Sequence, residues 1–230
     1  GARKIILTSR SGRANDHAQA VLETLKAEGA EIILAAADVS SPSCIGALAQ
    51  YVPQLKGIIH AAGALDDAKL IDLDWDRYVS VMTPKVDGTW HLHELTKTAN
   101  LDFFVLFSSI TSILGNTGQS NYGAANAFMD AFASYRNSLG LPGLSINWGP
   151  WSEVGMAANI AGADKYWLNS GFGLINPQMG LDAYADIASM QGAKGVYPIR
   201  WKQLIEGRGV SPYISAAAPK NALPNAGPSG

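Results

Sequence analysis

Short apolar runs alternate along this chain with stretches whose apolar positions recur every three or four residues. "KIILTS" (Lys4 to Ser9) reads as a short buried strand, and Gly12 with Asn15-Asp16 marks a turn and a helix start. "AQAVLETLKAEG" places Val21, Leu22 and Leu25 on one helical face and ends at Gly29, a residue suited to close a helix. "EIILAAADV" predicts the next strand, "SPSCIGALAQYV" a short helix with Pro42 in its first turn, and "LKGIIHAAG" a third strand. "DWDRYVSVM" and "VDGTWHLHELTKT" read as two helices parted near Thr83-Pro84. "LDFFVLFSS" is an apolar strand, "NYGAANAFMDAFASYRNSLG" a long helix stopped at Gly140, and "LPGLSINWGPW" holds another strand. Strands that alternate with helices and are apolar on both faces imply an α/β fold, a doubly wound parallel sheet of Rossmann-like type.

After Trp151 the periodicity fades. "SEVGMAANIAGADKYWLNSGFGLINP" is rich in Gly and Ala, the pattern of a lid or binding loop. "PQMGLDAYADIASM" predicts a helix and "GVYPIRW" a last strand leading into a short helix. From Ser211 the chain is small, polar and Pro-rich, so residues 1–210 are expected to form the domain and 211–230 a flexible linker.

Composition narrows the function classes. Of 230 residues, 47% are hydrophobic and 16% charged, enough apolar material for a sizeable core. A net charge of −2 gives no electrostatic case for nucleic acid or an anionic membrane. Cys44 is the only cysteine, which excludes an internal disulfide and a cysteine metal cluster and agrees with a reducing, cytoplasmic setting. No apolar run reaches the ~18 residues of a membrane span. His91 and His93 lie two apart on a helix and do not face each other, so no metal site is expected there.

Ligands of doubly wound sheets bind beyond the carboxyl ends of the strands. Four such ends carry candidates: Ser9-Arg10, Asp38-Val39, His60-Ala61-Ala62-Gly63 and Ser108-Ser109. Each has a bland reading: Arg10 as a surface charge, Asp38 as a helix cap, the small residues as close packing, the serines as a turn. Arg10 is the informative one. An acid at that place accepts the ribose hydroxyls of NAD, whereas an arginine suits the 2′-phosphate of NADP.

From "IILTSRSG" through "AADVS", "GIIHAAGALDDAKL", "PKVDGTWHLHEL", "LDFFVLFSS" and "GQSNYGAANAFMD" to "LSINWGPWSEVGMAA", the chain resembles the ketoreductase domain of a polyketide synthase, a branch of the short-chain dehydrogenase/reductase superfamily. The resemblance spans about residues 3 to 205. It implies a catalytic set of Ser109, Tyr122, Lys85 and Asn126. Tyr122 is the implied proton donor to the substrate carbonyl oxygen, Ser109 a hydrogen-bond donor to that oxygen, Lys85 the cation beside the tyrosine and the nicotinamide ribose, and Asn126 the organiser of a proton relay. Most of the superfamily carries a lysine four residues after the tyrosine; here that place is Asn126 and the lysine is Lys85. The chemistry is sensible in itself. Tyr122 and Asn126 share a helix face, a nearby ammonium makes tyrosine a better acid, and hydroxyls aimed at a developing alkoxide stabilise it.

The resemblance further implies NADPH as cofactor, held by Ser9, Arg10, Asp38, Val39, His60, Ala61, Ala62, Gly63, Lys85 and Tyr122. It implies a β-ketoacyl chain on an acyl carrier protein as substrate, and other domains of the same megasynthase as partners. Leu65-Asp66-Asp67 resembles the signature of B-type ketoreductases, which give a D-configured β-hydroxyl. Leu114 stands where A-type relatives have tryptophan, and Ala124 where members acting on epimerised α-methyl substrates tend to have proline. Met156, Trp167 and Leu168 are candidate apolar contacts in a lid. The family's first strand and glycine-rich phosphate loop have no counterpart in the sequence, and the chain opens directly on "GARKIILTSRSG". It is therefore expected to be an N-terminally truncated piece of a longer protein that has two open strand edges, binds NADPH poorly by itself and aggregates readily. A fatty acid synthase reductase, a free-standing ketone reductase and a non-catalytic reductase-like scaffold are the competing readings.

Overall fold

The structure, a computed structural model, describes residues 2–156 and 162–223. Two parallel sheets carry the architecture. β1 (Lys4–Ser9) pairs with β2 (Glu31–Ala36), in register from Lys4↔Glu31 to Ser9↔Ala36. β3 (Gly57–His60), β4 (Phe103–Ser109), β5 (Leu144–Trp148) and β6 (Gly192–Val196) form the second sheet in that order. This is the Rossmann-like α/β arrangement that the alternation of elements predicted.

The connecting helices are α1 (Asp16–Ala27), α2 (Ser43–Leu48), α3 (Trp75–Thr96), α4 (Thr111–Leu114), α5 (Ser120–Ser138), α6 (Ala163–Asn169), α7 (Pro177–Ile187), α8 (Trp201–Arg208) and α9 (Pro212–Ala217). Several begin as the sequence suggests. Asn15 accepts the Ala18 N–H, Asp74 the Arg77 N–H and Asn176 the Met179 N–H, each satisfying an amide that has no partner inside its helix.

Strand alternation sorts the core. Phe104 and Leu106 of β4 pack with Leu92 of α3 and with Met129, Phe132 and Ala133 of α5. Val105 points the other way, with Leu144, Ile146 and Trp148 of β5 and with Tyr184 and Ile187 of α7. A third cluster, built on Ile110, Phe172, Leu204 and Ile214, closes the C-terminal side.

Three features differ from the sequence reading. α3 is one helix through Pro84, not two. Proline cannot bond the Ser80 carbonyl, but the buried positions Val81, Lys85, Gly88, Thr89 and Leu92 lie on both sides of it, and tertiary packing holds the turns in line. The stretch expected as linker begins with α9, whose Ser211 side chain caps the Ile214 N–H and whose Ile214 is buried in the third cluster; residues 224–230 of that stretch lie outside the described residues. β1 is only partly buried.

The reason for the last difference lies between the sheets. β1 pairs with β2 alone and β3 with β4 alone, so the facing edges of β1 and β3 are open. A groove of about 870 Å³ separates them. Leu7 and Ile59, one on each edge, are 40% and 51% exposed.

Candidate active site

β4 delivers Ser108 and Ser109 at its carboxyl end. Ser109 Oγ accepts the Thr111 N–H at 3.2 Å, turning the chain straight into α4. Ser108 Oγ points inward and donates to the Asn126 carbonyl at 3.3 Å. α5 starts close by: a Cβ on Gly123 would stand 3.2 Å from the Thr111 carbonyl, so glycine lets the two helices approach. Tyr122 lies in the first turn of α5, its N–H held by Asn121 Oδ1 at 2.8 Å. Asn126 follows one turn later and donates from Nδ2 to the Tyr122 carbonyl at 2.7 Å.

Lys85 reaches this corner from α3. It is 3% exposed, donates from Nζ to the Phe107 carbonyl at 3.0 Å, and holds that ammonium 5.5 Å from the centre of the Tyr122 ring. Burial pushes its pKa down to about 7, against the pull of Asp130 in the other direction. The Tyr122 phenol is held above its ordinary value, chiefly by burial, while the nearby polar groups of Asn126 and Ser109 draw it back. The lysine thus sits over the Tyr122 ring.

His60, at the end of β3, is buried and neutral: desolvation pushes its pKa down to about 4, with the charge of Lys85 adding to the effect. Its Nε2 donates to the Pro84 carbonyl at 3.1 Å, next to Lys85 in the chain. A Cβ on Gly63 would stand 3.0 Å from both Lys85 Cε and Met156 Cε, so both side chains close on that glycine.

Ser9, Arg10, Asp38, Val39, His60, Ala61, Ala62 and Gly63 all line the groove between β1 and β3. Sequence reasoning singled out each of these from strand ends alone, and the parallel register brings those ends to one side. Gly12 has φ +64°, and a Cβ there would meet the Ala36 amide nitrogen at 2.9 Å, so glycine permits the close turn after Arg10.

The Leu65-Asp66-Asp67 segment is tied down at several points. Arg77 donates to Asp66 Oδ1 from Nε at 2.8 Å and from Nη2, and to the Asp67 carbonyl at 2.9 Å. Gln119 Nε2 donates to Asp67 Oδ2, and Asn121 Nδ2 to the Asp66 carbonyl, both at 2.9 Å. The loop is thereby fixed to the residues just before Tyr122. Arg77, Gln119 and Asn121 escaped the sequence reading; the polar pair three and one residues before the tyrosine was the available signal. Leu114 packs in the third core cluster beside Trp167, which stacks edge-on against Phe172 at 5.6 Å. Residues 157–161 of the expected lid lie outside the described residues. Trp148 is a core residue, and Trp151 packs against it at 5.0 Å.

A family model described as "KR domain" matches residues 1–153. The chain belongs to that family. Polyketide synthase GfsB of Streptomyces halstedii is 43% identical over 204 residues, covering 86% of this chain and 4% of that protein. A solved structure of A-type ketoreductases from a modular polyketide synthase is 33% identical, with a TM-score of 0.83 over 97% of this chain and 46% of its own. The first ketoreductase of the tylosin synthase is 34% identical, with a TM-score of 0.81 over 95% of this chain and 50% of its own. The chain therefore spans about half the length of these solved KR structures. KR domains of polyketide synthases are oxidoreductases that reduce β-keto groups. No helix among the described residues is long and apolar enough to cross a membrane.

Proposed function

We propose that this KR domain is the catalytic part of an NADPH-dependent reductase that converts a β-ketoacyl chain on an acyl carrier protein to a D-configured β-hydroxyacyl chain. The observation that carries this reading is the convergence of Ser109, Tyr122, Lys85 and Asn126 beside a groove lined at the strand ends. The groove fits a nicotinamide dinucleotide: small residues at Ala61, Ala62 and Gly63 leave room against the strand end, and Arg10 has no ion-pair partner among the described residues. Arg10 and Ser9 would hold the 2′-phosphate, Asp38 and Val39 would border the adenine, and Lys85 and Tyr122 the nicotinamide ribose. NADPH, when bound, supplies the hydride.

The protein's own residues then handle the oxygen. Ser109 Oγ and the Tyr122 hydroxyl donate to the carbonyl oxygen as negative charge builds there. Tyr122 gives up its proton. The ammonium of Lys85 favours the tyrosinate that remains, and Asn126, whose Oδ1 is buried behind the tyrosine, would orient the water that returns a proton to it. The clamped Leu65-Asp66-Asp67 loop is the proposed guide for the substrate face and hence for the D configuration. The open edges of β1 and β3 support a further part of the reading: a strand from outside these 230 residues, followed by a phosphate-binding turn, completes the sheet.

The test uses the intact domain with a β-ketoacyl thioester, NADPH absorbance as readout and chiral separation of the product. Turnover that vanishes in Tyr122→Phe with a D product supports the whole reading. An L product removes the stereochemical part alone. NADPH binding without turnover transfers the case to a non-catalytic scaffold.

A further inference from the structure

Behind the catalytic corner lies a polar cluster in an otherwise apolar core. β5 reads Leu144, Ser145, Ile146, Asn147, Trp148, all buried. Its odd-facing pair, Ser145 and Asn147, points away from the apolar cluster and toward α5. There they meet Asp130. Ser145 Oγ donates to Asp130 Oδ1 at 2.6 Å, while Ser112 Oγ and Asn147 Nδ2 donate to Oδ2 at 2.6 and 2.7 Å. Asn147 Nδ2 also reaches Ser112 Oγ at 2.8 Å and Ser108 Oγ at 3.1 Å. Ser108 in turn donates to the Asn126 carbonyl. One carboxylate on α5 therefore gathers side chains from α4 and β5, with β4 joined through Asn147. Those elements include the ones that bear Ser109, Tyr122 and Asn126.

Tyr122, Asn126 and Asp130 are spaced by four and share one face of α5. Asp130 is also the acid whose charge acts on Lys85. The groups facing that lysine are His60 from β3, kept neutral, Tyr122 and Asp130 from α5, and from β4 a backbone carbonyl only.

We propose that Asp130 is a positioning residue of the reductase: its carboxylate locks the end of β4 to the α5 turns bearing Tyr122 and Asn126, and it places an anion on the face of α5 that the buried Lys85 ammonium meets at Tyr122. This rests on the reductase reading of the site. Three converging donors explain why the position takes a carboxylate, which accepts at both oxygens, and not an amide, which accepts at one.

Asp130→Asn in the intact domain separates charge from shape. With its remaining oxygen toward Ser112 and Asn147, the amide keeps two of the three hydrogen bonds, and the Ser145 hydroxyl can turn to accept the third. Loss of the anion makes the ammonium form of Lys85 less favoured. Because the lysine acts as a cation, the alkaline limb of the kcat profile is expected to move to lower pH by about one unit, the usual scale for loss of a near charge, with KM for NADPH unchanged. The same displacement is expected in the titration of the Lys85 13Cε resonance, which needs no turnover. Asn147→Ala keeps the carboxylate and frees Ser108; kcat is expected to fall about 10- to 100-fold, the scale of an ångström-sized misplacement, with the limb unmoved. A superimposable pH profile and lysine titration in Asp130→Asn overturns the charge role, and undiminished kcat in Asn147→Ala overturns the positioning role. If Asp130→Asn does not fold, Asn147→Ala alone decides the positioning role. A wild-type domain without turnover whose Lys85 titration still moves in Asp130→Asn sinks the reductase reading and keeps the Asp130–Lys85 pairing.

Discussion

Lys85→Met should make the domain more stable while abolishing its chemistry. The wild-type lysine is buried with one backbone acceptor, and its pKa falls from 10.5 to about 7. Each tenfold change in proton affinity is worth ~1.4 kcal/mol, so keeping the ammonium in place costs the fold about 5 kcal/mol below neutral pH. Methionine has similar length and no charge. It forfeits the hydrogen bond to Phe107, worth ~1–3 kcal/mol when one buried partner is left alone. A net gain of about 2–4 kcal/mol at pH 7 is expected from those two terms. The sign with pH follows from linkage. Between about pH 7 and 10.5 the unfolded chain holds a proton on this lysine that the folded chain does not, so wild-type stability rises with pH by ~1.4 kcal/mol per unit, and the variant lacks this rise. Cys44 and Tyr122 have raised pKa values and act oppositely above pH 9 and 10, so pH 7 to 9 is the clean window, and they cancel in the difference. Urea unfolding followed by tryptophan fluorescence at several pH values in that window measures it. A constant difference between wild type and variant from pH 7 to 9, or a variant that is less stable at pH 7, refutes the picture of a desolvated cation.

Other outcomes follow from the same geometry. Tyr122→Phe should retain the fold and NADPH affinity and lose about 10²–10⁴-fold in kcat, measured by NADPH consumption. Arg10→Ala should raise KM for NADPH at least tenfold and leave NADH unaffected, since only the 2′-phosphate needs the guanidinium. His60, with a pKa of about 4 against 6.5 unfolded, holds no proton in the native state through that interval; stability should fall by about 3 kcal/mol as pH drops from 6.5 to 4, and His60→Gln should remove that slope in acid unfolding curves. Gly171 has φ +86°, and a Cβ there would stand 2.6 Å from the Leu204 amide nitrogen; Gly171→Ala should lower the melting temperature by several degrees through strain and backbone displacement.

The order of strands and helices was legible because each element bears its own period, and the candidate groove residues were legible because parallel strands end on one side. What stayed hidden depended on packing between distant segments. Pro84 looks like a break until Val81, Lys85 and Leu92 are seen buried on the same continuous helix. Ser211 onward reads as linker by composition, yet Ile214 finds a pocket beside Phe172 and Leu204, and one buried isoleucine with a serine cap is enough to hold a short helix there. The resemblance pairs Lys85 with Tyr122 but says nothing of their geometry: the ammonium lies over the ring and donates to Phe107, and burial is the largest influence on the phenol.

Asp130 shows why a catalytic site of this kind extends further than its reacting atoms. The signal for it was present, as polar residues at alternate positions of an apolar strand and an acid two turns along from the tyrosine, but neither half means anything until β5 is laid against α5. Polar groups buried in a core destabilise it unless every donor finds an acceptor. Here Ser112, Ser145 and Asn147 supply donors and Asp130 supplies both acceptor oxygens, while Lys85 is left with one carbonyl and a depressed pKa. The three hydrogen bonds on the Asp130 carboxylate are thus the rigid support, and the poorly satisfied lysine is the group held in a state that favours reaction. Stability gained by replacing Lys85 and stability lost by replacing Asp130 would be opposite consequences of the same division between support and reacting group.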